Sequence, residues 1–216
     1  MSTLIRLLIE LPILFMTLTI HEFSHGYTAY VLGDDTAKRM GRLTLNPISH
    51  IDPIGLLMLF VAHIGWAKPV PINPYNFQDQ KRDLAISAAA GPISNFLVAI
   101  VFSVIFRVIS HGNPRMMFYQ SGFQQIIWYI LFYTILINLA LGIFNLIPIP
   151  PMDGSKILGG FLSDEAYHKY TLQEKKGAQV LLAVFLISYI FKLNLIGAII
   201  TPPLNFFLNI LIGIKL

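Results

Sequence analysis

The chain has 216 residues, 55% of them hydrophobic and only 12% charged, with a mean hydropathy of +0.67 and a formal net charge of +4. Soluble domains carry about twice that charged fraction, which excludes an ordinary soluble domain and points to an integral membrane protein. Cysteine is absent, so disulfides and thiolate metal sites are excluded, and the basic surplus reads as orienting loops rather than a nucleic-acid surface.

A spanning helix needs about 20 predominantly apolar residues. The first such segment covers about 3–32, with Pro12 as an expected kink. It runs past Ile20 and carries HEFSH at 21–25, so a cleaved signal peptide is not expected. Residues 41–77 differ in texture. GRLTLNPISHIDP is rich in turn formers, IGLLMLFVAHIG is too short to span, and WAKPVPINPYNF is proline-punctuated. Irregular backbone at membrane depth survives only when packed in protein or lining a wet cavity. A membrane-embedded β-hairpin with a re-entrant helix is therefore expected there. Further spans are expected over about 84–110, 126–147 and 178–195. Residues 164–177 read as a soluble loop. The stretch 196–214 contains Pro202 and Pro203, and either spans with a break or turns back. The expected fold is an all-α polytopic membrane protein: a bundle of about five transmembrane helices with a small β-hairpin or re-entrant element. It is expected to form one domain over 1–216, with a catalytic core over about 1–160 and C-terminal helices over about 177–216.

Orientation follows from the loops. Lys38, Arg39, Arg42, Lys68, Lys81, Arg82, Lys156, Lys169, Lys175 and Lys176 fall on one side, against Arg6, Arg107, Arg115 and Lys192 on the other. The positive-inside rule puts the first group in the cytoplasm and HEFSH in the cytoplasmic half of its helix.

Ionisable groups inside a membrane are expensive and usually functional. Residues i and i+4 share a helix face, so His21 and His25 can offer two imidazoles to one ion, with Glu22 beside them as a general base. The competing reading is of polar residues hydrogen-bonded at a helix end. A catalytic zinc needs a third protein ligand and an open position. Asp153 follows the third long helix after a proline run, at the expected depth of HEFSH. Equally, Asp153-Gly154 could be a plain turn capping the next helix, which leaves His50, Asp52 and His63 as other candidates for ligand or supporting partner.

Four ordered stretches, HEFSH, WAKPVPINPYNF at 66–77, GPISN at 91–95 and NLIPIPPMDG at 145–154, resemble the site-2 protease family of intramembrane zinc metalloproteases. The resemblance covers roughly 20–160 and is to the compact members. It implies one zinc ion per chain on His21, His25 and Asp153, with Glu22 as the base. It also implies that Asn145 stabilises the oxyanion, which a neutral amide can do without burying a charge, and that Asn95 lies near the substrate path. Without the resemblance, Asn145 reads as a helix-end residue bonding free carbonyls, and Asn95 with Gly91 as small-residue helix packing. No PDZ or CBS domain is present in these residues, so a minimal catalytic core is expected.

The activity implied is an endopeptidase cutting within or near transmembrane segments of other membrane proteins. Residues 66–77 would pair with an unwound substrate strand. The expected partners are a transmembrane protein substrate and the bilayer, with no nucleic acid, and the sequence leaves the oligomeric state open. The expected location is a bacterial or archaeal plasma membrane. The rival reading is an inactive zinc-binding scaffold or an ion-handling protein. Against it, His21, Glu22, His25 and Asp153 are all present, and no repeated half of the transporter kind is visible.

Overall fold

A computed structural model describes residues 2–62, 65–119 and 121–214. The chain divides into two compact units, Met1–Ser94 and Asn95–Leu216.

The first unit is organised by α1, Thr3–Val31, whose N-terminus is capped by the Ser2 hydroxyl accepting from the Ile5 amide. Pro12 lies inside the helix. Its buried residues, Thr17, Thr19, His21, His25, Gly26 and Ala29, all fall in the later half. The hydroxyls of Thr19 and Ser24 donate to the carbonyls of Phe15 and Ile20, so these polar groups are satisfied within their own helix. Next come α2, Thr36–Arg39, and α3, Pro53–Ala62. The ten residues of α3 reach about 15 Å, half a bilayer core. Then α4, Gln80–Ile109, begins in this unit and continues into the second.

The expected β-hairpin is not formed among the described residues. The described residues of 41–77 hold a single antiparallel bridge, Ile51 with Ala67, extended by the Lys68 amide donating to the His50 carbonyl. Prolines at 47, 53, 69, 71 and 74 remove the donors that a ladder needs. The short-helix part of the expectation corresponds to α3.

The second unit contains α5, Gly122–Asn145; α6, Asp153–Phe161; α7, Asp164–Thr171; α8, Glu174–Ile190; and α9, Leu195–Ile212. Its core joins Ala99 and Phe106 of α4, Trp128, Leu131, Ile135 and Leu139 of α5, and Leu204, Leu208 and Ile212 of α9. Phe106 meets Trp128 edge-on with ring centroids 5.1 Å apart, a favoured aromatic geometry. Arg107 donates to the Ile210 and Leu211 carbonyls, satisfying acceptors that the end of α9 leaves open.

Two expectations are corrected here. Residues 164–171 are helical: Ser163 caps the N-terminus through the Ala166 amide, acids occupy the first turn, and His168 and Lys169 the last. Those are ordinary helix signals, obscured by the segment's polarity. The stretch containing Pro202 and Pro203 is one unbroken helix, α9, as apolar helices tolerate when neighbours compensate the missing donors. Among the described residues four helices, α1, α4, α5 and α9, are long and apolar enough to cross a membrane. The helix expected over 178–195 is α8, which has 17 residues and starts on Glu174, Lys175 and Lys176.

Candidate metal centre

HEFSH sits on a regular stretch of α1, so His21 and His25 share one face. Their Nε2 atoms are 3.0 Å apart and their rings stand edge to face. Two nitrogens at zinc–nitrogen distances in a tetrahedral shell would lie about 3.3 Å apart, close to this spacing. His25 Nδ1 is 2.7 Å from the Ser87 carbonyl. A carbonyl can only accept, so the ring proton sits on Nδ1 and the lone pair on Nε2, the form that ligates a metal. The Ser87 hydroxyl donates back to the His25 carbonyl, tying α4 to α1 at this level.

Gly91 explains the GPISN stretch. A Cβ at residue 91 would overlap the His25 ring and approach His21 Cε1 to 2.6 Å. Only glycine lets the α4 backbone pass this close to both imidazoles.

Glu22 is half-buried. Its Oε2 accepts the Val70 amide at 2.8 Å, so the carboxylate is held by the extended segment 66–77. Val70 is itself buried over Gly26, where an added Cβ would come within 2.8 Å of its Cγ1. The far end of the same segment is anchored by Asp34. That fully buried carboxylate accepts from the Asn73 amide at 2.7 Å, the Asn76 side chain at 2.7 Å, and the amide and hydroxyl of Thr36. Burial pushes the Asp34 carboxyl upward, but the Thr36, Asn73 and Asn76 donors together outweigh it and hold the group below its ordinary value.

Asp153 is buried in the first turn of α6, and Gly154 beside it approaches the Leu146 and Ile147 carbonyls so closely that a side chain would collide. His21 and His25 are thus a buried pair of ligand-type side chains in the first unit, and Asp153 is a buried carboxylate in the second. Asn145 ends α5 and its amide donates to the Leu141 carbonyl at 3.1 Å. Asn95 is fully buried on α4 and donates to Asn138, whose own amide donates to the Thr134 carbonyl.

The other histidine and acid candidates have local duties. His50 Nε2 bonds the Thr44 carbonyl, and Asp52 accepts from the Gly55 amide at the start of α3. His63 lies outside the described residues. Sequence reasoning missed Ser87, Val70 and Asp34. Two of these act through backbone atoms, which leave no side-chain signal, and Asp34 lies in a loop where acids are commonplace.

A model of peptidase family M50 matches residues 10–190. The chain is 38% identical over 175 residues to the protein named "Putative zinc metalloprotease YwhC" of Bacillus subtilis, covering 80% of this chain and 77% of that one. It is 32% identical over 154 residues to "Putative zinc metalloprotease Rip2" of Mycolicibacterium smegmatis, covering 69% of this chain and 56% of the relative. With "Zinc metalloprotease MJ0392" of Methanocaldococcus jannaschii it shares 28% identity over 185 residues, 84% of this chain and 42% of the relative. This chain thus spans about half the length of the last two. No solved structure matches it.

Proposed function

This chain belongs to peptidase family M50, and from that premise we propose that it is an intramembrane zinc endopeptidase that hydrolyses peptide bonds within or near transmembrane segments of other membrane proteins. The observation that carries this reading is the pair of Nε2 atoms at 3.0 Å on an apolar, membrane-length helix, with the His25 proton committed to the Ser87 carbonyl and Glu22 alongside. That donor chemistry fits zinc, which takes imidazole and carboxylate ligands. Asp153 is the proposed third ligand, supported by its burial and by the NLIPIPPMDG stretch it closes.

Zinc, when bound, supplies Lewis acidity, acidifying water towards a pKa of about 7 and polarising a carbonyl. The protein's own groups do the rest. Glu22 takes the proton of the attacking water and returns it to the leaving nitrogen. Asn145 has two amide protons, of which one is donated to Leu141, and the second is proposed to meet the developing oxyanion. Asn95 follows one helical turn after Gly91 and is proposed to line the substrate path. The substrate helix must unwind first, because its carbonyls are otherwise spent on its own hydrogen bonds. The basic loops support a site facing the cytoplasm.

The test uses detergent-purified full chain and a transmembrane peptide substrate. Glu22→Gln is expected to keep about one zinc per chain and to lose cleavage by about 10²–10⁴-fold, while Asp153→Ala loses the zinc. Cleavage at the wild-type rate by Glu22→Gln overturns the mechanism. Zinc bound without any cleavage by wild type would favour the inactive scaffold.

A further inference from the structure

Segment 66–77 was expected to offer its edge to a substrate strand, yet its donors point the other way. Between residues 69 and 74 the prolines at 69, 71 and 74 leave amides only at Val70, Ile72 and Asn73. The Val70 amide donates to Glu22 and the Asn73 amide to Asp34, so two of the three are directed at carboxylates of the HEFSH helix and the turn after it. Lys68 and Pro69 carbonyls accept from Arg42. The Val70 side chain, packed over Gly26, sits one helical turn past Glu22, so the same residue is keyed to α1 by side chain and backbone together.

We propose that this proline strap is a positioning element of the hydrolytic site: the Val70 amide orients the Glu22 carboxylate, and Asp34, about three helical turns further along the chain, anchors the strap that carries it. The strap is suited to this because prolines on both sides of Val70 restrict φ and remove competing donors, leaving one N–H whose direction is set by the anchor at Asp34. A base fixed by a backbone donor loses no rotamer freedom when it takes its proton, which favours the reactive geometry over others. Asp34 touches neither metal ligands nor the proposed water. Its influence on catalysis therefore passes through the strap alone. This inference rests on the reading of Glu22 as the base.

Two measurements test it. In zinc-free protein with isotope-labelled valine, the Val70 amide is one of nine valine signals and is assigned by its loss in Val70→Ala. It should exchange slowly in wild type and at least about tenfold faster in Glu22→Ala, the loss of a hydrogen bond to a charged group. In the zinc-loaded enzyme, replacing Val70 by its α-hydroxy acid (α-hydroxyvaline) turns the Pro69–Val70 amide into an ester that lacks the N–H and weakens the Pro69 carbonyl towards Arg42, for which Arg42→Gln is the control, and Asp34→Asn removes the anchoring charge. Each should lower kcat by roughly tenfold, with KM and zinc content held within about twofold. Unchanged exchange in Glu22→Ala, or a wild-type kcat in the α-hydroxyvaline protein, overturns the proposal. If Glu22→Gln is dead while α-hydroxyvaline is fully active, the strap proposal fails and the base survives. If Glu22→Gln is active, the base reading fails, and the exchange measurement still decides whether the strap holds that carboxylate.

Discussion

Around α1 the buried side chains are mostly polar: Thr17, Thr19, His21, His25, Asp34 and His50. The core of α4, α5 and α9 buries Phe106, Trp128, Ile135, Leu139 and Leu208, with Asn95, Ser103, Thr134 and Asn138 as buried polar residues on α4 and α5. The two regions are positioned by different forces. Near HEFSH, each functional group meets a directional partner: the Ser87 carbonyl for His25, the Val70 amide for Glu22, the Asn73 amide for Asp34. In the α4–α5–α9 core, position comes from close packing, because lipid tails are as apolar as leucine and burial alone gives helices little reason to associate in a bilayer. Chemistry needs groups held to a fraction of an ångström, and hydrogen bonds supply direction that packing of aliphatic chains does not.

The largest expected effect separates the two. Phe106→Ala empties a fully buried site against Trp128 and should destabilise the chain by about 3 kcal/mol, read by thermal unfolding in detergent, while zinc per folded chain stays at wild type. Zinc lost from the folded fraction would show that the apolar core also sets the ligands. Gly91→Ala is the converse. Its Cβ overlaps the imidazole face, so zinc affinity should fall on the order of 10–100-fold, with a smaller change in unfolding temperature. Unaltered affinity would mean that α4 can withdraw from α1 without disturbing the histidines.

The smallest effect is a pH dependence. Asp34 is held below its ordinary 3.8 by donors that outweigh burial, so its folded pKa is the lower one. Its contribution is then complete above that unfolded value and is lost as pH falls through the folded one. Amide protection across residues 70–76, compared between wild type and Asp34→Asn, should differ at neutral pH and still differ at pH 3.8, converging only as pH falls further through the lowered folded pKa. A difference that persists in acid would assign the anchor to shape rather than charge.

The local patterns of the candidate site are legible in the sequence. HEFSH, GPISN and NLIPIPPMDG are local patterns, and the i, i+4 spacing of two histidines on a helix is dictated by helix geometry alone. The spans α1, α4 and α5 follow from unbroken hydropathy. What misled was strand-like composition at 41–77, where the prolines that suggest extended backbone also deny a ladder its donors, and the double proline at 202–203, which α9 absorbs. The polar run at 164–177 hid ordinary capping signals.

By itself, then, the sequence determined the class of protein, the candidate metal-ligand residue types and the helix that bears two of them, because these depend on composition and on neighbours within a few residues. Only the tertiary structure decided which tautomer His25 adopts, why residue 91 must be glycine and which group holds Glu22. Those depend on the Ser87 carbonyl, 62 positions away, and the Val70 amide, 48 positions away. Every residue but proline carries the same backbone amide and carbonyl. Their identity says nothing about their use, and only the fold brings one of them to a particular side chain.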